Sequence, residues 1–508
     1  MIIPRPTALT PAPGRLRLSA APRVAALDPG AERPAVLLAG YLGGKVTQPD
    51  QDPEILLEAA GAPGPAESYR LEITPESVRL GAPAEAGLFH GVQSLRQLLA
   101  PDPFSVPCLT IEDAPLLPWR GLMIDVARHF LPLEFLYELV DDLALVKLNV
   151  LHLHLTDDQG WRIEIDGLPR LTEVGAWRDE SMIGPAGSER FDGVPHGGFY
   201  TRAELAALVR HAADRGVRIV PELEMPGHAR AALAAYPELG VHGKRLPVWT
   251  SWGVCEDIFG VQDRTLDFCR EVLGQIVDIF PDRYVHLGGD ECPTVQWETD
   301  AYSQSKAAEL GLPSPAALHG WFLGRMRDFL ADRGRRAIGW DTGVSAARNP
   351  QPADLVLAAW LNPADAVRSV ASGHQVLLTP HQSTFFDYPQ RDDPNEPQGQ
   401  PGLVTTLEDA YAFDPLGVGE ELRVVDPFAD VAPEPGVLGA QAQLWTEFLP
   451  TPTAVRYAAF PRLHAFAEAV WTDGPREFAD FRARLERLDP RLAGLGGPAP
   501  DRAARMGE

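Results

Sequence analysis

Residues 119–155 read WRGLMIDVARHFLPLEFLYELVDDLALVKLNVLHLHL, and this stretch decides the fold. Arg120–Val126 (RGLMIDV) is an apolar strand. Pro132 opens a helix running through Leu145, a place that suits proline because its missing N–H would find no partner in a first turn. Asn149–Leu155 (NVLHLHL) alternates apolar and polar from Val150 on, close to a period of two.

The alternation of strand and helix continues outward from there. Thr201 caps a helix over Arg202–Arg215, with Glu204 placed for a capping box. Gly216 ends that helix, and Val217–Leu223 is the next strand. Helix Arg264–Phe280 precedes strand Tyr284–Leu287, and helix Ala316–Arg333 precedes Ala337–Trp340. Leu355–Trp360, Gln375–Thr379 and Val437–Gln441 complete eight strands, with further helices at Ala364–Ser372 and Thr453–Ala469. Eight such repeats predict an α/β fold closed into a (β/α)8 TIM barrel. An open doubly wound sheet is the competitor, but no GxGxxG turn follows an early strand.

Ahead of the barrel, Tyr69–Thr74, Ser77–Leu80 and Cys108–Ile111 read as short strands. Within Glu85–Ala100, Leu88, Val92, Leu95 and Leu99 share one helical face. Two or three strands and a helix predict a small non-catalytic α+β domain over residues 1–115. The barrel then spans 116–475, and a C-terminal surface helix and tail without chemistry spans 476–508. Between Asp387 and Val437 a stretch rich in Pro, Gly and acids, including RDDPNEPQGQPG, is longer than an ordinary connection and is placed to cover a pocket.

Composition bounds the partners. Among 508 residues, 45 Lys and Arg against 70 Asp and Glu leave a formal charge of −25, which argues against nucleic acid and anionic membranes. Four scattered cysteines, Cys108, Cys255, Cys269 and Cys292, make neither a disulfide framework nor a metal knuckle. The first residues lack the apolar run of a signal peptide and no window reaches the ~20 apolar residues of a membrane span, so a cytoplasmic location is expected. The substrate should be small or neutral, and the sequence is silent on oligomeric state.

In such a barrel the chemistry belongs where strands end. Arg128, Asp157-Asp158, Glu222 and Glu224 with His228, Asp290-Glu291, Trp340-Asp341, Trp360, Asp387, and Trp445 with Glu447 stand at those ends. A single tryptophan there suits core packing. Several beside carboxylates suit the C–H faces of a sugar ring. In His286-Leu287-Gly288-Gly289-Asp290-Glu291, two glycines allow a tight turn before two adjacent acids, where crowding and burial would raise one carboxyl and keep it protonated. Consecutive residues are poorly placed to flank one glycosidic bond as acid and nucleophile. A 2-acetamido group can supply the nucleophile instead, its oxygen attacking C1. That leaves Glu291 as acid/base and Asp290 as partner of the acetamido N–H.

From Pro118 to Thr472 the chain resembles the family 20 glycoside hydrolases, the β-N-acetylhexosaminidases. The matching runs are PWRGLMIDVARHF, KLNVLHLHLTDDQGWRIEI, GFYTRAELAALVRHAADRGVRIVPELEMPGHA, HLGGDE, IGWDT and AQLWTEF. AGLFHGVQSLRQLL and PCLTIEDAP resemble that family's N-terminal domain. The resemblance implies a retaining exo-enzyme that needs no cofactor or metal and removes terminal β-linked N-acetylglucosamine, or N-acetylgalactosamine. It implies that Arg128 binds the sugar's 3- and 4-hydroxyls, and that Asp157 and His228 support the acid/base. It further implies that Trp340, Trp360 and Trp445 wall the acetamido pocket, and that Asp387 and Glu447 hold the outer hydroxyls. One position departs from the pattern: Phe385, in TFFDY, stands where the family usually has a tyrosine whose hydroxyl donates to the acetamido oxygen. Rival readings are a metal-dependent amidohydrolase built on His152 and His154, and a sugar-binding barrel without activity.

Overall fold

The computed structural model describes residues 2–60, 63–100, 102–341, 352, 354–417, 422–429 and 434–492. Thr342 of the IGWDT run, parts of the stretch after Asp387, and the tail from 493 on lie outside the described residues. Eight parallel strands close into a barrel. Numbered within it, they are β1 (Trp119–Asp125), β2 (Val150–His154), β3 (Arg218–Glu222), β4 (Tyr284–His286), β5 (Arg336–Trp340), β6 (Val356–Ala359), β7 (Gln375–Leu378) and β8 (Gly436–Leu444), with β8 pairing back onto β1. The eight predicted strands are these eight.

Two separate layers of core follow from the period of the strands. One face of each strand points inward, where Trp119, Val150, Val220, Tyr284, Ile338, Val356, Ala358, Leu377 and Leu438 fill the lower barrel. The other face meets the helices, among them Leu133–Leu145 and Asp263–Ile279. Helix Arg202–Ala213 begins with the capping box read from the sequence, Thr201 and Glu204 satisfying each other's backbone N–H.

Three elements differ from expectation. The N-terminal region is larger than two or three strands: among the described residues, seven form one mixed sheet, in the spatial order Ala8–Arg17, Ser105–Asp113, Tyr69–Ile73, Val78–Ala82, Ile55–Ala59, Arg23–Ala26 and Lys45–Val46. Ala8–Arg17 escaped notice because it carries Pro11, Pro13 and Gly14; it is an exposed edge strand, where missing donors are tolerated. The predicted helix Thr453–Ala469 is two, Pro452–Ala459 and Arg462–Trp471, because Pro461 lacks the N–H that a continuous helix would need. The C-terminal helix Phe478–Leu492 is not a bare surface helix. Its Phe481 is buried in the barrel's outer core, and Arg484 makes a bidentate pair with buried Glu468.

Candidate active site

One cavity, about 520 Å³, lies at the wrong end for barrel chemistry. It opens between the N-terminal sheet and the strand beginnings, lined by Glu67, Phe89, Asn149, Arg218 and Asp282, with Glu67 paired to Arg120 and Arg218 to Asp282. Another, about 150 Å³, opens at the strand ends and is lined by Arg128, Asp290, Glu291, Trp340, Trp360, Phe385, Asp387, Tyr388, Gln400, Trp445 and Glu447. Eight of the ten site residues read from the sequence line it, and the other two, Asp157 and His228, stand directly behind.

The HLGGDE turn delivers the two acids. Gly288 and Gly289 take φ of +66° and +92°, and a side chain on Gly288 would run into Glu224 Oε2, which lies buried beneath the turn and accepts from the Gly289 N–H at 3.2 Å. Glu291 itself has φ +44° and His228 φ +49°, strained values for side-chain-bearing residues. This left-handed backbone lets consecutive acids converge. His228 Nε2 lies 3.7 Å from Glu291 Oε2 and 3.9 Å from Asp290 Oδ2.

Behind the turn runs a chain of charges. His228 Nδ1 lies 3.2 Å from Asp157 Oδ1 and 3.1 Å from Asp158 Oδ2, so both acids of LTDDQ hold the imidazole. The sequence places Asp158 at this strand end without giving it a role; adjacent acids are mostly solvated surface, and nothing local told that both turn inward here. Asp157 Oδ2 also receives Arg128 Nη2 at 2.9 Å, while Asp125 and Gln159 hold the rest of that guanidinium and the Trp445 ring lies 5.0 Å away. Anchored on this many acceptors, Arg128 presents a fixed fork.

Electrostatics divide the acid pair the opposite way from the sequence expectation. Burial and the neighbouring Glu291 charge push Asp290 up, whereas a hydrogen bond from His228 holds half-exposed Glu291 down in the free protein. Burial opposes a charge on His228, but the Asp157 charge and the hydrogen bonds to Asp157 and Asp158 prevail and hold it well up, as the cation. Glu224, desolvated beside Asp290 and Glu222, is pushed well up.

Three polar atoms at the pocket are buried with no hydrogen-bond partner among the described residues: Asp290 Oδ1, Asp387 Oδ1 and Trp360 Nε1. Two acceptors and a donor left over in one small cavity are what a ligand would satisfy. The departure at Phe385 also has a shape. Its ring stacks on Trp360 at 6.2 Å and 11°, and the Tyr388 hydroxyl is turned away to His381 Nδ1 at 3.3 Å. By distance His152, Glu222 and His286 could surround a cation. Their atoms face one another inside the barrel, with His152 Nε2 3.0 Å and His286 Nδ1 2.8 Å from the Glu222 carboxylate.

The description "Glycosyl hydrolase family 20, catalytic domain" matches residues 117–474, and "Glycosyl hydrolase family 20, domain 2" matches residues 1–114. A β-hexosaminidase of Porphyromonas gingivalis is 36% identical over 438 residues, covering 84% of this chain; the chain spans only 53% of that relative's length. A β-N-acetylhexosaminidase of Cellulomonas fimi is 33% identical over 512 residues, covering 96% of this chain and 93% of its own. The crystal structure of an exo-β-N-acetylglucosaminidase from Vibrio harveyi, in complex with N-acetylglucosamine, superposes with a TM-score of 0.85 at 30% identity, covering 98% of this chain and 78% of that one. With the barrel, the strand-end acids and these matches together, the chain belongs to glycosyl hydrolase family 20.

Proposed function

We propose that the chain is a retaining exo-β-N-acetylhexosaminidase that removes terminal, non-reducing β-linked N-acetylglucosamine by substrate-assisted catalysis, with N-acetylgalactosamine as the second sugar to test. The observation that carries this reading is the orphaned Asp290 Oδ1, an acceptor at the pocket beside Glu291 that awaits an N–H. A cavity of about 150 Å³ with Arg128, Asp387 and Glu447 among its lining suits one terminal sugar, not a chain threaded through.

In the first step the acetamido oxygen forms a bond to C1 as the C1–O bond to the leaving group breaks, and Glu291 passes its proton to the departing oxygen. The nitrogen of the resulting oxazolinium ring carries positive character, which the Asp290 carboxylate steadies through the N–H. Water then attacks C1, Glu291 takes its proton, and the ring opens; two inversions leave the configuration retained. His228, held by Asp157 and Asp158, faces Glu291 through both steps. Filling the pocket with sugar expels water from Glu291 and raises its carboxyl towards the range of a proton donor.

Hydrolysis of 4-nitrophenyl N-acetyl-β-glucosaminide tests the reading. Glu291→Gln should lower turnover by about 10²–10⁴-fold, and the matching β-glucoside without the N-acyl arm should resist cleavage. Equal cleavage of both sugars, or capture of a covalent glycosyl-enzyme with a fluorosugar, would overturn it.

A further inference from the structure

Deep in the barrel, one carboxylate touches four side chains. Parallel register sets Glu222 of β3 beside His154 of β2 and His286 of β4, all facing inward. Glu222 is wholly buried. Its Oε1 accepts from Trp340 Nε1 at 2.7 Å and lies 2.8 Å from His286 Nδ1, while its Oε2 lies 2.5 Å from His154 Nδ1 and 3.0 Å from His152 Nε2. The other nitrogen of His154 is 2.9 Å from Asp157 Oδ2. An imidazole has two N–H groups only as the cation, so a ring held by a carboxylate at each nitrogen is imidazolium.

Charges at this depth are costly, and the layer beneath shows that apolar side chains fill the barrel readily. What the charged layer achieves is connection. Trp340 walls one side of the pocket, and Asp157 carries Arg128 and His228 on the other. The two would otherwise be independent side chains on different strand ends. We propose that Glu222 and His154 are positioning residues: the carboxylate sets the indole of Trp340, and through His154 the same carboxylate sets Asp157, so that the acetamido wall and the support of Glu291 form one rigid frame. This rests on the catalytic reading above, since it assigns the frame to that reaction.

The test uses the full chain with His154→Gln and Glu222→Gln, and N-acetyl-β-glucosaminides with a poor leaving group (4-methoxyphenyl) and a very good one (2,4-dinitrophenyl). A very good leaving group departs without a proton, so a defect in the support of Glu291 disappears with it. His154→Gln should lose about 10²-fold in kcat on the methoxyphenyl substrate and less than about threefold on the dinitrophenyl one. Glu222→Gln should lose at least about tenfold on both, because the wall it orients acts at the attack on C1, which both substrates share. Equal losses of His154→Gln on the two substrates, or no loss in either variant, would overturn the proposal. If one variant does not fold, the other decides; if neither folds, the layer is structural and the proposal fails. Glu291→Gln run alongside separates the cases: if it retains activity the catalytic reading has failed, and if it alone is dead only this inference has.

Discussion

Phe385 lies flat on Trp360 where the family resemblance implies a tyrosine, and the Tyr388 hydroxyl beside it is turned to His381. Of the polar atoms there, the Trp360 indole N–H is buried and has no hydrogen-bond partner among the described residues. A hydrogen bond to a group gaining charge contributes about 1.5–3 kcal/mol. Phe385→Tyr should therefore raise kcat on N-acetyl substrates by about 10–10²-fold, measured with the 4-nitrophenyl substrate. No gain would assign the donor role to Trp360. Phe385 was legible as a departure from the sequence pattern alone. Asp158 and Glu224 could be placed at strand ends, but not their inward contacts, because whether an acid faces water or buried partners depends on residues 60 or more positions away.

At the scale of the element, the HLGGDE turn joins β4 to the pocket and owes its path to Glu224, which arrives from the turn after β3. A Cβ on Gly288 would meet the Glu224 carboxyl and would sit at a φ of +66°. Gly288→Ala should destabilise the fold by about 1–3 kcal/mol from backbone strain alone. It should also cut turnover by about 10²-fold through displacement of Asp290 and Glu291. A thermal melt and an assay of the same sample check the pair of effects; unchanged turnover would show that the turn tolerates displacement. The two glycines announce a turn in any sequence, but the carboxyl that makes Gly288 obligatory belongs to another strand end.

Across the whole molecule, Glu67 of the N-terminal region reaches the barrel. It receives both Arg120 nitrogens, at 2.8 and 3.0 Å, together with His90 and Asn149. Burial opposes its charge, but the Arg120 guanidinium prevails and holds the carboxyl far below its ordinary value. A depressed folded-state value means stabilisation that is complete above the ordinary carboxylate range and lost as pH falls through about 4 and below. Glu67→Ala leaves fully buried Arg120 unpaired and should cost about 3–5 kcal/mol at neutral pH. Thermal midpoints followed from neutral to acid should show the gap between wild type and variant narrowing as the medium turns acid; a gap that stays constant would locate the stabilisation elsewhere.

Local pattern determined the barrel. Period-two apolar strands, capped helices and their eightfold repetition are properties of neighbours in the chain, and they bring the strand ends, hence Arg128, Glu291 and the tryptophans, to one rim. The N-terminal sheet was only half visible, since an edge strand rich in proline carries no apolar period. Tertiary structure alone decided which acids are pushed up and which are held down, that Asp157 and Asp158 share one imidazole, and that Glu222 links Trp340 to Asp157. Those outcomes depend on burial and on distances between strands, and a carboxylate's state is set by what surrounds it in space, not by what precedes it in the chain.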